Sequence, residues 1–329
     1  MATASQIEAR VVRMYEAHPF PSIADKQAKV DAEMPIHLRL LGIAPADYVG
    51  RRVLDAGCGT GEYAAWYGRQ GGQVTAVDLS EPSLRRAAQY AAGQGLSNVR
   101  FDKQSVLALD FPDGSFDYVY SMGVLHHTPD PYGGFRELCR VLRPGGVLVV
   151  SLYNRFSRLP HNARQALVRR VAGDDPDRRV AWATRLFPRT CRALRRNRGD
   201  DSGAILYDAF AIPHESRHSV GELLHWFDAN DVRYLGAFGP VTLRDTVLAL
   251  RLMRQPEFGR FRGYFAGFPL AAWAVRALPR LAQPGADVQP PPAFRRPSRL
   301  SRGLVQLAWT VLGFRFSIFS LAGRKADAA

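Results

Sequence analysis

A turn built on three alternating glycines most constrains what this chain can fold into. It lies in the stretch RVLDAGCGTGEYAAWYGRQGGQVTAVD, residues 52–78. The apolar run that ends at Ala56 has the length of a strand, and a helical pattern from Glu62 leads to a second apolar run that ends at Asp78. This order of strand, glycine turn, helix and strand predicts half of a nucleotide-binding α/β unit.

The glycines and one carboxylate indicate how this turn binds a ligand. A side chain at Gly57 or Gly59 would hold a ligand away from the backbone, and glycine also reaches the positive φ that a tight turn needs. Asp78 follows Gly57 by 21 residues. Its carboxylate is therefore expected at the tip of the neighbouring strand, where it can accept both hydroxyls of a ribose.

The spacing of the turn argues against a dinucleotide. A dinucleotide turn reads G-x-G-x-x-G and aims its amides at a pyrophosphate, whereas this chain has G-x-G-x-G with Glu62 in the sixth position. Asp55 stands directly before the turn, where a carboxylate suits an amino group and a sulfonium better than phosphates. The stretch VLDAGCGTG resembles the first motif of the class I S-adenosylmethionine (SAM) methyltransferases. A dehydrogenase-type turn or a purely structural glycine turn is the alternative.

A second segment strengthens this resemblance. QSVLALDFPDGSFDYVYSMGVLHHTPDP, from Gln104, is similar to the "GD…LPF…SFD…VLHH" segment of methyltransferases of the ubiquinone/menaquinone C-methylase type. The following LRPGG with an apolar strand is also typical of that family. Gln104-Ser105 replaces the family's Gly-Asp, whose acid accepts the adenine amino group, and Ser105 accepts a hydrogen bond more weakly. The resemblance covers residues 48–153, about a third of the chain.

The resemblance implies a set of cofactor contacts around these motifs. Leu79, which follows the ribose-binding carboxylate, is expected to pack on the adenine, and Ser121 is expected to begin the turn after the fourth strand. The complete set of expected SAM contacts is Asp55, Ala56, Gly57, Cys58, Gly59, Gly61, Asp78, Leu79, Ser105 and Ser121.

Three residues are candidates for catalysis. His126 and His127 lie just beyond the carboxyl end of the fourth strand, the edge at which open α/β sheets bind ligands, so either imidazole can remove a substrate proton. Tyr15 belongs to an amphipathic N-terminal helix, and such helices lie over the SAM pocket in this family. The alternatives are that the histidines order the loop or contact the cofactor, and that Tyr15 is a core residue. No metal site is expected, because His, Asp and Glu lack metal-ligand spacing.

The predicted fold is α/β: a Rossmann-like seven-stranded sheet whose last strand is antiparallel, with helical insertions that form a lid. The predicted units are N-terminal helices over the cofactor pocket (1–47), the SAM-binding core (48–153), an arginine-rich helical insertion (154–212), the helix and sixth strand of the core (213–240), a second helical insertion (241–313), and the final strand and tail (314–329). Both long connections leave the carboxyl-end edge of the sheet, so they are expected to select the acceptor.

Several local expectations accompany this plan. Residues 155–198 read as two helices broken at 173–176. A predicted loop that can face the substrate follows, and it carries Tyr207, Asp208, His214 and His218. The fourth, fifth and seventh strands are predicted as Phe116–Tyr120, Gly146–Leu152 and Phe314–Ala322, and the last helix as Leu300–Leu312. Aromatic side chains of the two insertions are candidate linings for the acceptor, although packing within the lid is the alternative for each: Trp182, Phe187, Phe261, Phe265 and Trp273.

The charge of the chain is unevenly distributed. The net charge is +14, but residues 155–198 alone carry 13 arginines against three aspartates, a net +10. Such a segment can recruit nucleic acid, anionic lipid or an acidic substrate, or it is a solvated arginine-rich surface. Nucleic acid is disfavoured because the arginines are not interleaved with stacking aromatic residues. The three separated cysteines suggest neither disulfides nor zinc, which fits a reducing cytoplasm.

The terminal segments bear on localisation. The first residues lack the apolar region of a signal peptide, and residues 303–323 read as a helix followed by a strand rather than as a membrane span. The expected location is cytoplasmic, with peripheral contact at the inner membrane face through the C-terminal arginine and aromatic segments as a further expectation.

The predicted function is SAM-dependent methyl transfer to a small or lipophilic acceptor such as a natural product, a quinone or a lipid. An RNA or protein methyltransferase and a non-catalytic SAM-binding subunit are the alternatives. The acceptor atom and the oligomeric state are left open at this point.

Overall fold

The computed structural model describes most of the chain. The described residues are 3–19, 27–198, 203–239, 241, 298–311 and 318–327. Within these ranges, strands and helices alternate from β1 to β3, β4 follows β3 without a helix between them, and α5 separates β4 from β5. A group of helices then follows β5.

The described strands form one seven-stranded sheet in the order β3-β2-β1-β4-β5-β7-β6. The first five strands are parallel to one another, whereas β7 runs antiparallel to both β5 and β6. This confirms the predicted Rossmann-like α/β fold with an antiparallel last strand. The strand order reverses between β1 and β4, which is where sheets of this type bind ligands. The strands are β1 (Arg52–Ala56), β2 (Gln73–Asp78), β3 (Val99–Lys103), β4 (Phe116–Met122), β5 (Leu142–Tyr153), β6 (Val232–Phe238) and β7 (Ile318–Lys325).

Helices cover both faces of this sheet. Adjacent residues of β1 point to opposite faces, so Val53 joins one apolar cluster with Tyr67 of α3, and Leu54 joins another with Phe135 of α5. The helices are α1 (Ala4–Ala17), α2 (Gln27–Leu40), α3 (Glu62–Arg69), α4 (Glu81–Gly93), α5 (Pro131–Val141), α6 (Leu159–Ala172), α7 (Pro176–Leu186), α8 (Pro188–Arg198), α9 (Ala204–Phe210), α10 (Val220–Ala229) and α11 (Arg299–Val311).

The helices α6 to α9 form a unit with a small apolar core of its own, here called the lid. The prediction of two helices over 155–198 is wrong, because Phe187 ends α7 and Pro188 opens a third helix, α8. The predicted loop around Tyr207 and Asp208 is also wrong, since both residues lie in α9. The lid core consists of Val168, Ala172, Ala183, Cys191, Ile205, Leu206, Ala209 and Phe210.

Two strands are longer than the sequence predicts. β4 extends to Met122, because Ser121 and Met122 continue the pairing with Val150 and Ser151 of β5. Ser121 therefore lies inside the strand, and the expectation that it begins the following turn is wrong. β5 starts at Leu142 and ends at Tyr153 rather than spanning 146–152.

The C-terminal elements agree with the prediction in kind. The helix α11 differs from the predicted helix by one residue at each end, and β7 continues past Ala322 because Gly323 and Arg324 also pair with β5. The predicted start of this strand at residue 314 lies outside the described residues, as do Phe261, Phe265 and Trp273. Trp182 and Phe187 pack against the apolar core of the lid. Among the described residues, no helix is long and apolar enough to cross a membrane.

Candidate active site

The glycine turn joins the carboxyl end of β1 to the start of α3, at the reversal of the strand order. The amides of Gly57 and Cys58 donate to the carbonyl of Val77, at 2.7 and 2.9 Å, so the turn is tied to β2. A Cβ at residue 57 would lie 2.6 Å from Cγ1 of Val124. The loops that follow β1 and β4 therefore touch, and only a glycine permits this approach.

Asp78 holds the shape of the turn and presents its carboxylate to it. Oδ2 accepts the amide of Gly59 at 2.9 Å, and Oδ1 accepts the amide of Ser80 at 2.8 Å. Burial raises the pKa of Asp78, although the amides of Ser80, Gly59 and Leu79 oppose this shift. Each carboxylate oxygen has a second lone pair, so both can still accept a hydroxyl of a ribose.

Asp55 is a buried carboxyl group whose ionised form a bound cation would stabilise. It is 2% exposed, and its Oδ2 has no hydrogen-bond partner among the described residues. Burial raises the pKa of Asp55 to about 7, with further contributions from the negative charges of Asp78 and Glu62. An ionised carboxylate in such a place is costly unless it is paired. The ammonium and sulfonium of S-adenosylmethionine are cations of the required kind, so these residues fit that cofactor.

The remaining predicted cofactor residues surround the same edge of the sheet. Ala56 and Cys58 are buried at the end of β1, and Leu79 is half-buried just after Asp78. Ser121 is fully buried, with no partner for its hydroxyl among the described residues. Ser105 is engaged elsewhere: its hydroxyl donates to Oε1 of Glu8 at 2.6 Å, which fixes α1 beside the end of β3. A contact of Ser105 with the cofactor stays a prediction.

His126 is packed in a stack of rings. Its imidazole lies on the ring of Tyr153, with ring centres 3.7 Å apart, and the guanidinium of Arg158 covers Tyr153 at 3.6 Å. Burial lowers the pKa of His126 well below its usual range, and the neighbouring charges of His127, Arg158 and His218 lower it further. The ring is therefore neutral at physiological pH, and neither of its nitrogens has a hydrogen-bond partner within the described chain.

His127 and Tyr15 meet at a carboxylate that the sequence did not single out as catalytic. The hydroxyl of Tyr15 donates to Oδ1 of Asp208 at 2.8 Å, and Nε2 of His127 lies 4.0 Å from the same oxygen. Nδ1 of His127 lies 3.2 Å from the carbonyl oxygen of His214. Helix α1, the loop after β4 and the lid thus converge on one polar cluster, in which His127 and Asp208 are buried and Tyr15 is half-buried.

An ion pair attaches the lid to this cluster. Arg158 and Glu215 have side chains 8% and 3% exposed, and Nη2 donates to Oε2 at 2.8 Å. Glu215 follows the residue whose carbonyl contacts His127, and the amide of Ser216 donates to the carbonyl of His126 at 2.7 Å. Sequence reasoning missed Arg158 and Glu215, since 57 residues separate them and neither belongs to a motif.

The glycine turn yields a prediction that separates cofactor binding from folding. Gly59 has φ +53° and a Cβ there would meet nothing within 4 Å, whereas Gly61 has φ +80° and a Cβ there would lie 2.6 Å from Cβ of Ala87. Both alanine variants bear a backbone penalty of roughly 1–2 kcal/mol. We expect Gly59→Ala to lose mainly SAM affinity, because the methyl group fills the open side of the turn. Gly61→Ala is its matched control and should lose mainly stability.

Calorimetric titration with SAM and thermal unfolding of both variants check this prediction. If Gly59→Ala binds SAM as the wild-type protein does, the cofactor does not lie against that side of the turn.

A second prediction concerns the pH dependence of cofactor affinity. Because the pKa of Asp55 is raised to about 7, this group gains its charge between about pH 6 and pH 8. A cationic ligand favours the ionised form, so SAM should bind more tightly as the pH rises through this window, by up to roughly tenfold per pH unit below pH 7. Binding measured at several pH values tests this. Asp55→Asn should flatten the dependence, and an equally steep dependence in that variant would contradict the assignment.

Comparisons with known proteins agree with this geometry. A family model described as a methyltransferase domain matches residues 54–150. The ubiquinone biosynthesis O-methyltransferase of Paracidovorax citrulli is 37% identical over 152 residues, which cover 44% of this chain and 63% of that protein. An uncharacterised protein of Synechococcus sp. is 28% identical over 255 residues, 69% of this chain and 59% of that protein. The chain thus spans about three-fifths of the length of these curated relatives.

A solved structure supports the fold. A chain from the complex of the Haloferax volcanii Trm112 methyltransferase activator with a proposed methyltransferase superposes with a TM-score of 0.50 at 14% identity, covering 97% of this chain and 99% of that one. At this identity the likeness concerns the fold alone. Together with the glycine turn, the buried Asp55 and the strand order, the match to the domain model shows that this chain contains a class I SAM-dependent methyltransferase domain, whose cofactor is S-adenosylmethionine.

Proposed function

We propose that the protein transfers the methyl group of S-adenosylmethionine to a hydroxyl group of a small lipophilic molecule. The observation that carries this proposal is the cluster of buried His127 and Asp208 with half-buried Tyr15, at the edge of the sheet where the cofactor turn lies. The sulfonium of the bound cofactor supplies an activated methyl group. The protein's own contribution is to hold the acceptor in line with that group and to take its proton, and such positioning is a large catalytic effect.

The choice of a hydroxyl acceptor follows from the chemistry of the cluster. A hydroxyl must lose its proton as its oxygen bonds to the methyl carbon, and a base at the site is therefore useful. Of the two histidines, His127 suits this role better, because His126 is enclosed in its ring stack. The printed names of the relatives, ubiquinone biosynthesis O-methyltransferases, favour the same atom and a lipophilic acceptor.

Methyl transfer from labelled SAM tests the proposal. The purified protein is incubated with SAM labelled in the methyl group and a cell extract, and the products are separated into an organic-extractable fraction and a macromolecular fraction. We expect label in the extractable fraction that mild alkali does not release, because methylation of a hydroxyl gives an ether. Label released by mild alkali would be a methyl ester and would contradict a hydroxyl acceptor. Label confined to RNA or protein would favour the alternative methyltransferases, and no formation of S-adenosylhomocysteine would favour a non-catalytic subunit.

Peripheral membrane contact stays a prediction. It is supported by α11, where Leu300 and Leu304 are 74% and 49% exposed next to Arg299, a combination suited to an anionic lipid surface. Flotation with anionic liposomes tests this prediction. A protein that does not bind the liposomes at low salt would contradict it.

A further inference from the structure

We infer that Asp208, in lid helix α9, is a positioning residue that makes His127 the proton acceptor of the reaction. This inference rests on the proposed function, because it concerns how the hydroxyl acceptor loses its proton. It also assigns a catalytic purpose to the lid, since the required carboxylate comes from the insertion and not from the methyltransferase core.

The first step concerns the hydrogen on the His127 ring. Nδ1 lies 3.2 Å from the carbonyl oxygen of His214. A carbonyl only accepts hydrogen bonds, so Nδ1 is the nitrogen that carries the hydrogen when the ring is neutral. The lone pair is then on Nε2, and the loop that follows α9 thereby selects the tautomer that can accept a proton there.

The second step concerns what Nε2 faces. Oδ1 of Asp208 is 4.0 Å away, which is too long for a hydrogen bond and leaves the lone pair available. The two residues are 7% and 8% exposed, so the carboxylate acts on the imidazole with little screening by water. A proton that arrives at Nε2 creates an imidazolium, and the negative charge of Asp208 stabilises it.

The third step concerns the orientation of the carboxylate. The Tyr15 hydroxyl donates to Oδ1 of Asp208 at 2.8 Å. Burial, and then the charge of Asp208, raise the pKa of Tyr15 well above its usual range, so the hydroxyl remains a donor. Tyr15 also meets the His127 ring edge-on, with ring centres 6.2 Å apart. Helix α1 thus fixes the position of the carboxylate and of the imidazole together.

The other ionisable groups around His127 come from three neighbouring parts of the chain. His126 precedes it in the same loop, Tyr153 of β5 lies edge-on with ring centres 5.4 Å apart, and His214 and Glu215 face it from the loop after α9.

In the reaction the acceptor O–H bond and the S–CH₃ bond break, and an O–CH₃ bond forms. The proton passes to Nε2, and S-adenosylhomocysteine leaves as a neutral sulfide.

The substitution Asp208→Asn tests this inference because asparagine keeps the size of the side chain and can still accept from Tyr15. The full-length protein is assayed for S-adenosylhomocysteine formation at pH 8 with two probe acceptors, catechol and 4-nitrocatechol, the second of which is already ionised. With catechol, we expect kcat to fall about 100-fold, the scale of general-base catalysis, at nearly unchanged SAM affinity. With 4-nitrocatechol, which needs no base, we expect a loss of less than about threefold.

The matched control is Asp177→Asn, the same chemical change elsewhere in the lid, at a carboxylate that accepts the Tyr207 hydroxyl. It should leave both rates near the wild-type values. An equal loss on both probes, or no loss on catechol, would overturn the inference while the proposed function stands. A wild-type protein that methylates neither probe nor any extractable hydroxyl compound would defeat the proposed function, and the inference with it.

Discussion

Replacement of Asp78 by alanine is expected to abolish measurable binding of S-adenosylmethionine. The variant removes the predicted acceptor for two ribose hydroxyls, and hydrogen bonds to a charged group contribute about 1.5–3 kcal/mol each. It also releases the amides of Gly59 and Ser80, which Asp78 holds at 2.9 and 2.8 Å, so the glycine turn loses its shape. Together these losses correspond to at least about a 100-fold weaker complex. Isothermal titration calorimetry with SAM measures the effect directly.

Two further variants make this result interpretable. Asp102→Ala removes a carboxylate at the end of the next strand, where Asp102 pairs with Val77, and it should bind SAM as the wild-type protein does. Asp78→Asn retains one acceptor oxygen and should bind with intermediate affinity. Circular dichroism and a melting curve establish that each variant is folded. A folded Asp78→Ala protein with SAM affinity within about threefold of wild type would refute the assignment of this carboxylate.

The cofactor half of the site could be predicted from sequence because its parts are close together in the chain. The turn from Gly57 to Gly61 and its partner Asp78 belong to one strand-helix-strand unit, in which local spacing determines three-dimensional placement. The apolar runs on either side alternate between the two faces of the sheet, as Val53 and Leu54 do. The seven-stranded sheet and its antiparallel last strand then followed from the resemblance.

The acceptor half could not be predicted in the same way. Tyr15 and Asp208 form a hydrogen bond across 193 residues of sequence, and Glu8 and Ser105 across 97. No local pattern encodes such pairs. His127 could be proposed from its place after β4, but the carboxylate beside it required the fold.

The missed helix α9 shows how tertiary packing overrides a local pattern. Its sequence AILYDAF is seven residues long and has no polar face, so it lacks the periodicity of a surface helix. It is helical because residues such as Ile205 and Phe210 are buried in the lid core. A helix this short is not stable alone, so the local sequence pattern predicts a loop. The break at Phe187-Pro188, by contrast, is marked in the sequence by a proline, which favours the first turn of a new helix.

These features give the lid two roles that depend on one another. Its helix α9 carries Asp208 beside Nε2 of His127, and the loop that follows α9 places the carbonyl of His214 against Nδ1 of the same ring. The loop of residues 211–218 connects both roles, because Ser216 and His218 are hydrogen-bonded to the backbone of His126 and Tyr153. Weakening the attachment of this loop should therefore reduce catalysis as well as stability.

Glu215→Gln tests the attachment of the loop of residues 211–218. We expect this substitution to destabilise the protein by about 3–5 kcal/mol at pH 7, the usual cost of breaking a buried ion pair. Arg158 would be left buried without its charge partner. Burial alone would raise the pKa of Glu215, but the charges of Arg158, His127 and Arg217 outweigh it and lower the pKa. This stabilisation is present above the unfolded-state pKa of about 4.3 and is lost as the pH falls through the lower folded-state value. The difference between wild type and variant should thus shrink in acid.

Urea unfolding at pH 7 and pH 4 measures both parts of this prediction. The matched control is Glu81→Gln, in an exposed pair with Arg85 whose side chains are 56% and 65% exposed, where the loss should stay below about 1 kcal/mol. The double variant Arg158→Met/Glu215→Gln should be more stable than Glu215→Gln alone, since it removes the stranded charge. If Glu215→Gln costs no more than Glu81→Gln, the lid does not depend on this ion pair. Its attachment would then rest on the backbone hydrogen bonds of residues 216 and 218, and the coupling between lid and His127 would have to pass through them.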